Sequence, residues 1–440
     1  MKHKTNLQVI RESPRMVEKA LLVGIQHIDE STEHTWDMLD ELTELTDTLG
    51  VGVIGRIIAK VTKPTPKFLT GSGKAEEIIA HARDVNADVV IFDDSLSPAQ
   101  QRNWESLSTD IAIIDRQEVI LDIFGQRAKT REAELQIALA RARYDLPRLK
   151  RRWTHLHRQR GAAGGHGMRG EGEQQLEVDA RLVRRRIARL ETQLSDVRKK
   201  REVQRRKRMK RPVPNCAIVG YTNAGKSSLL NALTGADVLA EDKLFATLDP
   251  TIRRIVLPNQ QELLLSDTVG FIRKLPHGLI EAFKATLEEA ALADFLIEVI
   301  DINSPAIDEH HQTTCEVLDE LGGGGKTRIM VFNKIDALTD EFRLGQLSRR
   351  FENAVFISAR GGDGLDRLQN RLADELGRFL DLTRLTVPVA RYDIVALLHR
   401  SSQVFEEIMD ESGDYIHLKA AVPAQTLNAV KEFITDMPRS

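Results

Sequence analysis

Apolar runs and amphipathic stretches alternate over the first 124 positions of the chain. Ala20–Ile25, Val51–Val61, Asp88–Phe92 and Ile111–Ile114 read as strands. Trp36–Leu49, Ala75–Asp84 and Pro98–Ser106 between them read as helices. This alternation predicts a small α/β domain with a largely parallel sheet, over residues 1–125. From Leu135 the period changes. Leu135, Leu139, Ala142, Leu146, Leu149, Trp153 and Leu156 are spaced 4-3-4-3-4-3, and Leu176, Ala180, Val183, Ile187, Leu190, Leu194 and Val197 repeat that spacing. Three heptads apiece predict two antiparallel helices paired along one seam, an arm spanning residues 126–213. Each seam covers roughly 32 Å at 1.5 Å per residue. Pro147 is expected to kink the first helix by removing one backbone donor.

Between the two series lies Gly161–Gly172, GAAGGHGMRGEG, with six glycines in twelve residues. Such a segment is expected to be a loop, since ordering it as helix costs backbone entropy. It reads either as a flexible hairpin tip or as a tip that follows an irregular partner surface closely. Arg198–Arg211 follows, either a solvated linker helix or a phosphate contact. Strand-like runs at Asn215–Val219, ELLLSD, RIMVF and AVFIS then mark a further α/β domain, residues 214–381. A tail, residues 382–440, pairs strand-like Arg384–Val389 and Tyr415–Ala420 with helical Ile394–Ser401 and Gln425–Ile434. That tail is expected to be a small α/β appendage without catalytic residues.

Charge sharpens the picture of the arm. The 440 residues carry a net −2. Residues 126–211, however, hold 27 Lys and Arg against 10 Asp and Glu, a net of +17, while the remainder holds 36 against 55. A basic block inside an acidic protein points to a polyanionic partner met by one region, with RNA the first candidate. Composition is otherwise that of a globular protein, 41% hydrophobic and 29% charged. No stretch has the apolar length of a membrane span, and the polar start MKHKTNLQVI lacks a signal-peptide core. The two cysteines, Cys216 and Cys315, sit in apolar contexts that read as core, which fits a reducing cytoplasm. A cytoplasmic monomer is expected.

The chemistry-bearing motifs lie at the ends of the later strands. GYTNAGKSS, from Gly220 through Tyr221, Thr222, Asn223, Ala224 and Gly225 to Lys226 and Ser227, matches the phosphate-binding loop between strand and helix. Backbone N–H groups of such a loop cradle phosphates, a lysine reaches the outer ones, and the serine hydroxyl ligates Mg²⁺. Asp267, Thr268, Val269 and Gly270 close ELLLSD; an aspartate there holds Mg²⁺ through water and the glycine offers its N–H to the γ-phosphate. Asn333, Lys334, Ile335 and Asp336 select the base. The Asp336 carboxylate accepts from guanine N1–H and its exocyclic amine together, whereas adenine would leave the charge unpaired. Ser358, Ala359 and Arg360 complete the base pocket. Four motifs in order, each at a strand end, predict a P-loop GTPase domain that hydrolyses GTP with Mg²⁺. Gly71-Ser72-Gly73-Lys74 lacks the first glycine of the loop pattern and reads as a turn opening a helix at Ala75. His155, His157 and His166 do not form a metal site, because an i, i+2 pair on a helix faces different directions.

With these residues the chain resembles the HflX family of ribosome-associated GTPases over nearly its whole length. Arg169-Gly170-Glu171-Gly172-Glu173, Phe245-Ala246-Thr247-Leu248-Asp249-Pro250-Thr251 and Asp267-Thr268-Val269-Gly270-Phe271-Ile272 with LPHGLIEAFKATLEE carry the resemblance. It implies that Thr247 joins Ser227 on Mg²⁺ and that Phe245, Ala246, Thr247, Leu248 and Asp249 line the nucleotide. It also implies binding to the large ribosomal subunit, with the arm tip near the peptidyl-transferase region, and splitting of stalled ribosomes under stress. Spacing alone does not separate Thr247 from Thr251. Phe271 stands where Ras-type enzymes place the water-orienting glutamine, so isolated turnover is expected to be slow. Asn223 is similar to the loop asparagine of cation-activated GTPases, whose oxygen helps hold K⁺ against the phosphates. Its plain alternative is tolerance of a tight turn. The competing functional readings are a GTP-dependent RNA chaperone or modification partner that does not stably bind ribosomes, and a GTP-gated scaffold whose arm binds an acidic protein.

Overall fold

The computed structural model describes residues 17–149, 169–208, 213–235, 244–245, 248, 251–258, 261–274, 289–379, 382–422 and 424–436. The chain divides into two compact units. The first comprises Met1–Arg198, Glu241–Asp249 and Arg273–Thr286; the second comprises Lys199–Ala240, Pro250–Ile272 and Leu287–Ser440.

The first unit opens with strand–helix alternation: β1 (Lys19–His27), α1 (Thr32–Thr48), β2 (Gly52–Val61), α2 (Ser72–Asp84), β3 (Val89–Phe92), α3 (Pro98–Leu107), β4 (Ala112–Asp115) and α4 (Arg116–Arg127). The strands form one parallel sheet in the order β2-β1-β3-β4. β1 is apolar and buried along most of its length because it lies in the sheet interior between helical layers. Ser31, Ser97 and Asp115 each cap a helix through the side chain, so the helix starts are written in the sequence. The helix expected at Ala75 begins three residues earlier, with Gly71 as its N-cap. Trp104 fills the core, its indole donating to the Phe68 carbonyl at 2.9 Å.

The strand order reverses direction beside β1, and charge collects at the carboxyl end of β3 next to that point. Arg116, 2% exposed, meets Asp93 at 2.7 Å and also contacts Glu41. Arg273 reaches Glu41 at 3.1 Å, while Lys274 lies 2.7 Å from Asp93 and 2.9 Å from Asp94. Phe245 belongs to the same unit and packs edge-on against Phe124 with ring centroids 4.5 Å apart.

α5 (Arg131–Asp145) and α6 (Arg169–Arg208) form the helical arm. Leu135, Leu139 and Ala142 pack with Leu190 and Leu194, flanked by Val183, Ile187 and Val197, as the heptad spacing predicts. Pro147 interrupts the first helix, as expected, and Leu149 is α-helical again after it. The α-helix stops at Asp145 and Leu146–Arg148 is a 3₁₀ turn, because the ring removes a donor that an i→i−4 ladder needs. Trp153, Leu156 and the three arm histidines lie outside the described residues. At the tip, residues 161–168 also lie outside them, but Arg169–Gly172, expected in the loop, already belong to α6. Each glycine costs a helix only about 1 kcal/mol, which a long helix absorbs. Among the described basic residues of the arm, Arg141 and Arg148 are largely buried and committed internally. Arg141 pairs with Asp122 at 2.8 Å and Glu118 at 3.0 Å, and Arg148 donates to Gln101 at 3.0 Å and to the Leu96 carbonyl at 2.7 Å.

The second unit contains a six-stranded sheet ordered β10-β9-β8-β5-β7-β6, formed by β5 (Asn215–Gly220), β6 (Thr251–Val256), β7 (Glu262–Asp267), β8 (Phe295–Asp301), β9 (Arg328–Asn333) and β10 (Val355–Phe356). All its pairings are parallel except β6 with β7. Its helices are α7 (Lys226–Thr234), α8 (Ile307–Glu320), α9 (Glu341–Arg350) and α10 (Leu365–Phe379). Cys216 is buried in this core, but Cys315 is only half-buried and not the core residue its context suggested. The tail holds β11 (Leu382–Pro388), α11 (Tyr392–Ser401), β12 (Gln403–Met409), β13 (Tyr415–Ala421), α12 (Ala424–Val430) and β14 (Ile434–Asp436). Four antiparallel strands in the order β12-β13-β11-β14 replace the two expected, and the last helix stops at Val430. Among the described residues, no helix is long and apolar enough to cross a membrane.

Trp36 and Trp104, the tryptophans among the described residues, both fall in the first unit, so their fluorescence reports on its unfolding. Arg116→Leu leaves Glu41 and Asp93 buried without that guanidinium and is expected to destabilise the unit by about 3 kcal/mol in urea titrations. A loss below about 1 kcal/mol would show that Arg273 and Lys274 suffice to compensate both carboxylates.

Candidate functional site

The motif residues of the second unit converge at the carboxyl edge of its parallel sheet. β5 ends at Gly220, whose φ is +137° and where a Cβ would lie 2.2 Å from the Val299 carbonyl oxygen. Only glycine fits this exit. The loop then turns through Asn223 (φ +59°) and Gly225 (φ +93°) before α7 starts at Lys226. Lys226 is buried and its Nζ donates to the Tyr221 carbonyl at 2.7 Å. Burial lowers its ammonium to about 8, with the Asp267 carboxylate acting in the opposite direction.

Ser227 donates from Oγ to Asp267 Oδ2 at 2.6 Å, joining the loop to the end of β7. A hydroxyl and a carboxylate so placed are hard oxygen donors of the kind that Mg²⁺ takes. Thr268 is held by donation to the Ile218 carbonyl at 2.7 Å. At Gly270 a Cβ would meet Thr222 at 2.7 Å and Lys226 Nζ at 2.9 Å. Val269 is buried beside it. Phe271 accepts from the Thr222 N–H at 2.8 Å and donates to the Gly220 carbonyl at 3.1 Å, and its ring is buried.

Asn333, at the end of β9, donates from Nδ2 to the Ala224 carbonyl at 2.9 Å and accepts at Oδ1 from the Ala359 N–H at 2.9 Å. Lys334 adopts φ +67° and its Nζ lies 2.9 Å from Asp301. Ile335 packs into a neighbouring apolar cluster. Asp336 is exposed and accepts at Oδ1 from Ser358 Oγ at 2.6 Å. Arg360 is exposed at the same loop.

Four of the sequence motifs are thus brought together: the loop at 220–227, Asp267–Gly270, Asn333–Asp336 and Ser358–Arg360. Phe245 and Leu248 belong instead to the first unit, both buried. Ala246, Thr247 and Asp249 lie outside the described residues. Sequence reasoning missed two supports of the site. His310 of α8 stacks flat on the Tyr221 ring with centroids 3.7 Å apart, and Asp301 anchors Lys334. Asp301 ends an apolar strand as Asp267 does, a signal that was available. His310 carried none. Among the described residues, no group of His, Cys, Asp and Glu has the makings of a metal cluster.

Lys226 supplies a pH test. Its lowered pKa means that most of the free protein carries it neutral above about pH 8. Phosphate binding favours the charged form, so nucleotide binding should take up a proton there, and affinity should fall as pH rises. Calorimetry of GDP binding at about pH 8.5, in buffers of differing ionisation enthalpy, should show that uptake, and at about pH 7 it should vanish. No uptake at the higher pH would mean that Lys226 is already charged in the free protein.

Three family models match in sequence: a GTP-binding GTPase N-terminal model over residues 36–125, a GTP-binding GTPase middle region over 127–208, and a 50S ribosome-binding GTPase over 215–334. GTPase HflX of Akkermansia muciniphila is 48% identical, covering 97% of this chain and 99% of its own. GTPase HflX of Caldanaerobacter subterraneus subsp. tengcongensis is 43% identical, covering 97% and 96%. A GTP-binding protein from the archaeon Sulfolobus solfataricus, solved with GDP, is 25% identical with a TM-score of 0.42, over 82% of this chain and 99% of that one. With near-half identity running from end to end and all three models matched in order, the chain belongs to the HflX family and is a GTPase.

Proposed function

We propose that this GTPase binds GTP at the sheet edge just described, engages the large ribosomal subunit through its basic arm, and splits or rescues stalled ribosomes. The observation that carries the nucleotide assignment is the Asn333 carboxamide, which joins the loop at Ala224 to the base-side loop at Ala359. In this reading Gly220–Ser227 cradles the phosphates, Lys226 turns from the Tyr221 carbonyl to the outer phosphates, and Gly270 offers its N–H to the γ-phosphate. Ser227 and Thr247 would hold Mg²⁺, with Asp267 behind them, and the ion would neutralise charge on the outer phosphate oxygens. Asp336 reads guanine, held by Ser358. Phe271 has no group to orient water, its ring is buried and its backbone is bonded on both sides, so basal turnover is slow.

For the ribosome, support comes from the arm and from the family model named for 50S binding. Arg181, Arg184, Arg185, Arg186, Arg189 and Arg198 are all exposed along α6, a helix of roughly 60 Å at 1.5 Å per residue. A long cationic rod suits a phosphate-lined rRNA surface. Sedimentation of the GTP-analogue-bound protein with large subunits tests this directly, and failure to co-sediment would favour the RNA-chaperone reading.

Asp336→Asn exchanges an acceptor for a group that also donates, which suits xanthine's carbonyl. GTP affinity should fall at least about tenfold and XTP should become preferred in competition binding. Unchanged GTP affinity would remove Asp336 from base recognition.

Replacing residues 161–172 with a short Gly-Ser turn should leave basal hydrolysis within about twofold and abolish stimulation by large subunits, and binding of the parent should weaken steeply as salt rises. Equal stimulation in both proteins would place the ribosome contact elsewhere.

K⁺ is the second proposed cofactor, held by Asn223. The φ of +59° at Asn223 equally suits a residue kept for its turn. Turnover in KCl and NaCl at one ionic strength separates the two readings: a K⁺ advantage that Asn223→Ala abolishes supports the ion, and matching rates in the parent exclude it.

A further inference from the structure

The second unit holds a cluster of nucleophilic and titratable groups that GTP hydrolysis does not use. His311 and Cys315 stand one turn apart on α8 and share a face, with Sγ 3.7 Å from His311 Nε2. The other ring nitrogen, Nδ1, is 2.7 Å from Oε1 of Glu298, which is fully buried in β8. Oε2 of Glu298 has no hydrogen-bond partner among the described residues and lies 3.6 Å from Arg328 NH1. That guanidinium, on β9, donates to Cys315 Sγ at 2.9 Å.

A buried carboxylate on Nδ1 keeps a proton there and leaves the Nε2 lone pair toward the sulfur. Arg328 presents a fixed positive charge to negative charge developing on that sulfur. Cys315 is half-buried; Cys216 is fully buried, and burial pushes its thiol well above the usual range. A purely structural role would explain one ion pair under a helix. It does not explain a base and a cation both against one half-buried thiol, with a carboxylate orienting the base.

We propose that Cys315 is a nucleophilic thiol, activated by His311 and Arg328, and that it is where hydroperoxides oxidise this protein. His311 Nε2 takes the Sγ proton while the sulfur electron pair attacks one peroxide oxygen. The S–O bond forms and the O–O bond breaks. The departing oxygen keeps that pair and receives the proton from His311, leaving as water or, from an organic hydroperoxide, as an alcohol. Sulfur loses two electrons, the peroxide gains two, and the product is a sulfenic acid that a small thiol reverses. Glu298 is a positioning residue, acting through His311.

The pH dependence is set by the groups around His311. Glu298, first through its hydrogen bond, and Asp308 raise the imidazole pKa above its ordinary value; Arg328 lowers it. β5, which also packs on α8, contributes only Cys216 as a titratable group. The base must be neutral to act, so oxidation should quicken as pH rises through that raised pKa.

The test exposes the full-length protein to hydrogen peroxide with dimedone as the sulfenic-acid trap and no other thiol present, read by mass spectrometry, while a separate tube gives the rate at which the same peroxide consumes glutathione. Cys315 should be trapped at least about tenfold faster than glutathione is consumed, and Cys216 should not be trapped. Cys315→Ser should abolish labelling and His311→Gln should slow it about tenfold. Glu298→Gln should move the inflection of the rate–pH curve to lower pH, with folding checked by circular dichroism. A parent rate no faster than glutathione overturns the proposal without any variant. An inflection unmoved in folded Glu298→Gln overturns the role given to Glu298.

Discussion

One carboxamide sets the geometry at the carboxyl edge of the second unit's sheet, where the nucleotide is proposed to bind. Asn333 has a donor and an acceptor on one rigid group, so it serves an orphan carbonyl at Ala224 and an orphan N–H at Ala359 together. Aspartate could accept from Ala359 but could not donate to Ala224, and a smaller residue would leave both backbone groups without a partner in a buried place. The same amide dictates its neighbour. A Cβ at Gly225 would fall 2.1 Å from Asn333 Nδ2, and the backbone there is left-handed at φ +93°. Asparagine at one position and glycine 108 residues earlier are therefore a single constraint, written twice in the sequence.

The first unit depends on charge in a different way. Its sheet packs on a core that holds Trp104 and the apolar residues of β1, but Arg116, Glu41, Asp93, Asp115, Glu118 and Asp122 are all nearly inaccessible too. Buried ion pairs seldom outperform well-packed hydrocarbon in stability; what they contribute is a unique arrangement, since every misaligned alternative strands a charge. Here they fix which segments dock. Asp93 and Glu41 receive Lys274 and Arg273, and Glu118 and Asp122 receive Arg141. Tyr144 seals the second group by donating to Asp115 at 3.0 Å, and burial, together with the acidic surroundings, pushes its phenol well above the usual range.

Much of this was legible because periodicity reports burial directly. The 4-3 series from Leu135 names the residues that pack with Leu190 and Leu194, and the apolar runs of the first domain are its four strands. Strand ends bearing glycine, aspartate and asparagine located the site, since parallel sheets expose loops there. Other features carried no such signal. Gln403–Met409 was not read as a strand; its pairing with β13 is interrupted by a bulge after Val404, and the residues from Phe405 to Met409 are exposed, so no face shows an alternating pattern. Arg141 and Arg148 were indistinguishable in sequence from the exposed arginines of α6, because only tertiary contact decides whether a cation meets a carboxylate or solvent. The stack of His310 on Tyr221 joins residues 89 positions apart and leaves no local trace.

Position 271 shows how one departure from a familiar pattern is built into its surroundings. The backbone of Phe271 bridges to the phosphate loop on both sides, to Gly220 and to Thr222, and so fixes where Gly270 can stand. The ring is buried, 1% exposed. A glutamine substituted there would either bury its amide, at about 1–3 kcal/mol if unpaired, or swing outward and give up that burial. Restoring the Ras-type side chain is therefore not a simple gain of a catalytic group.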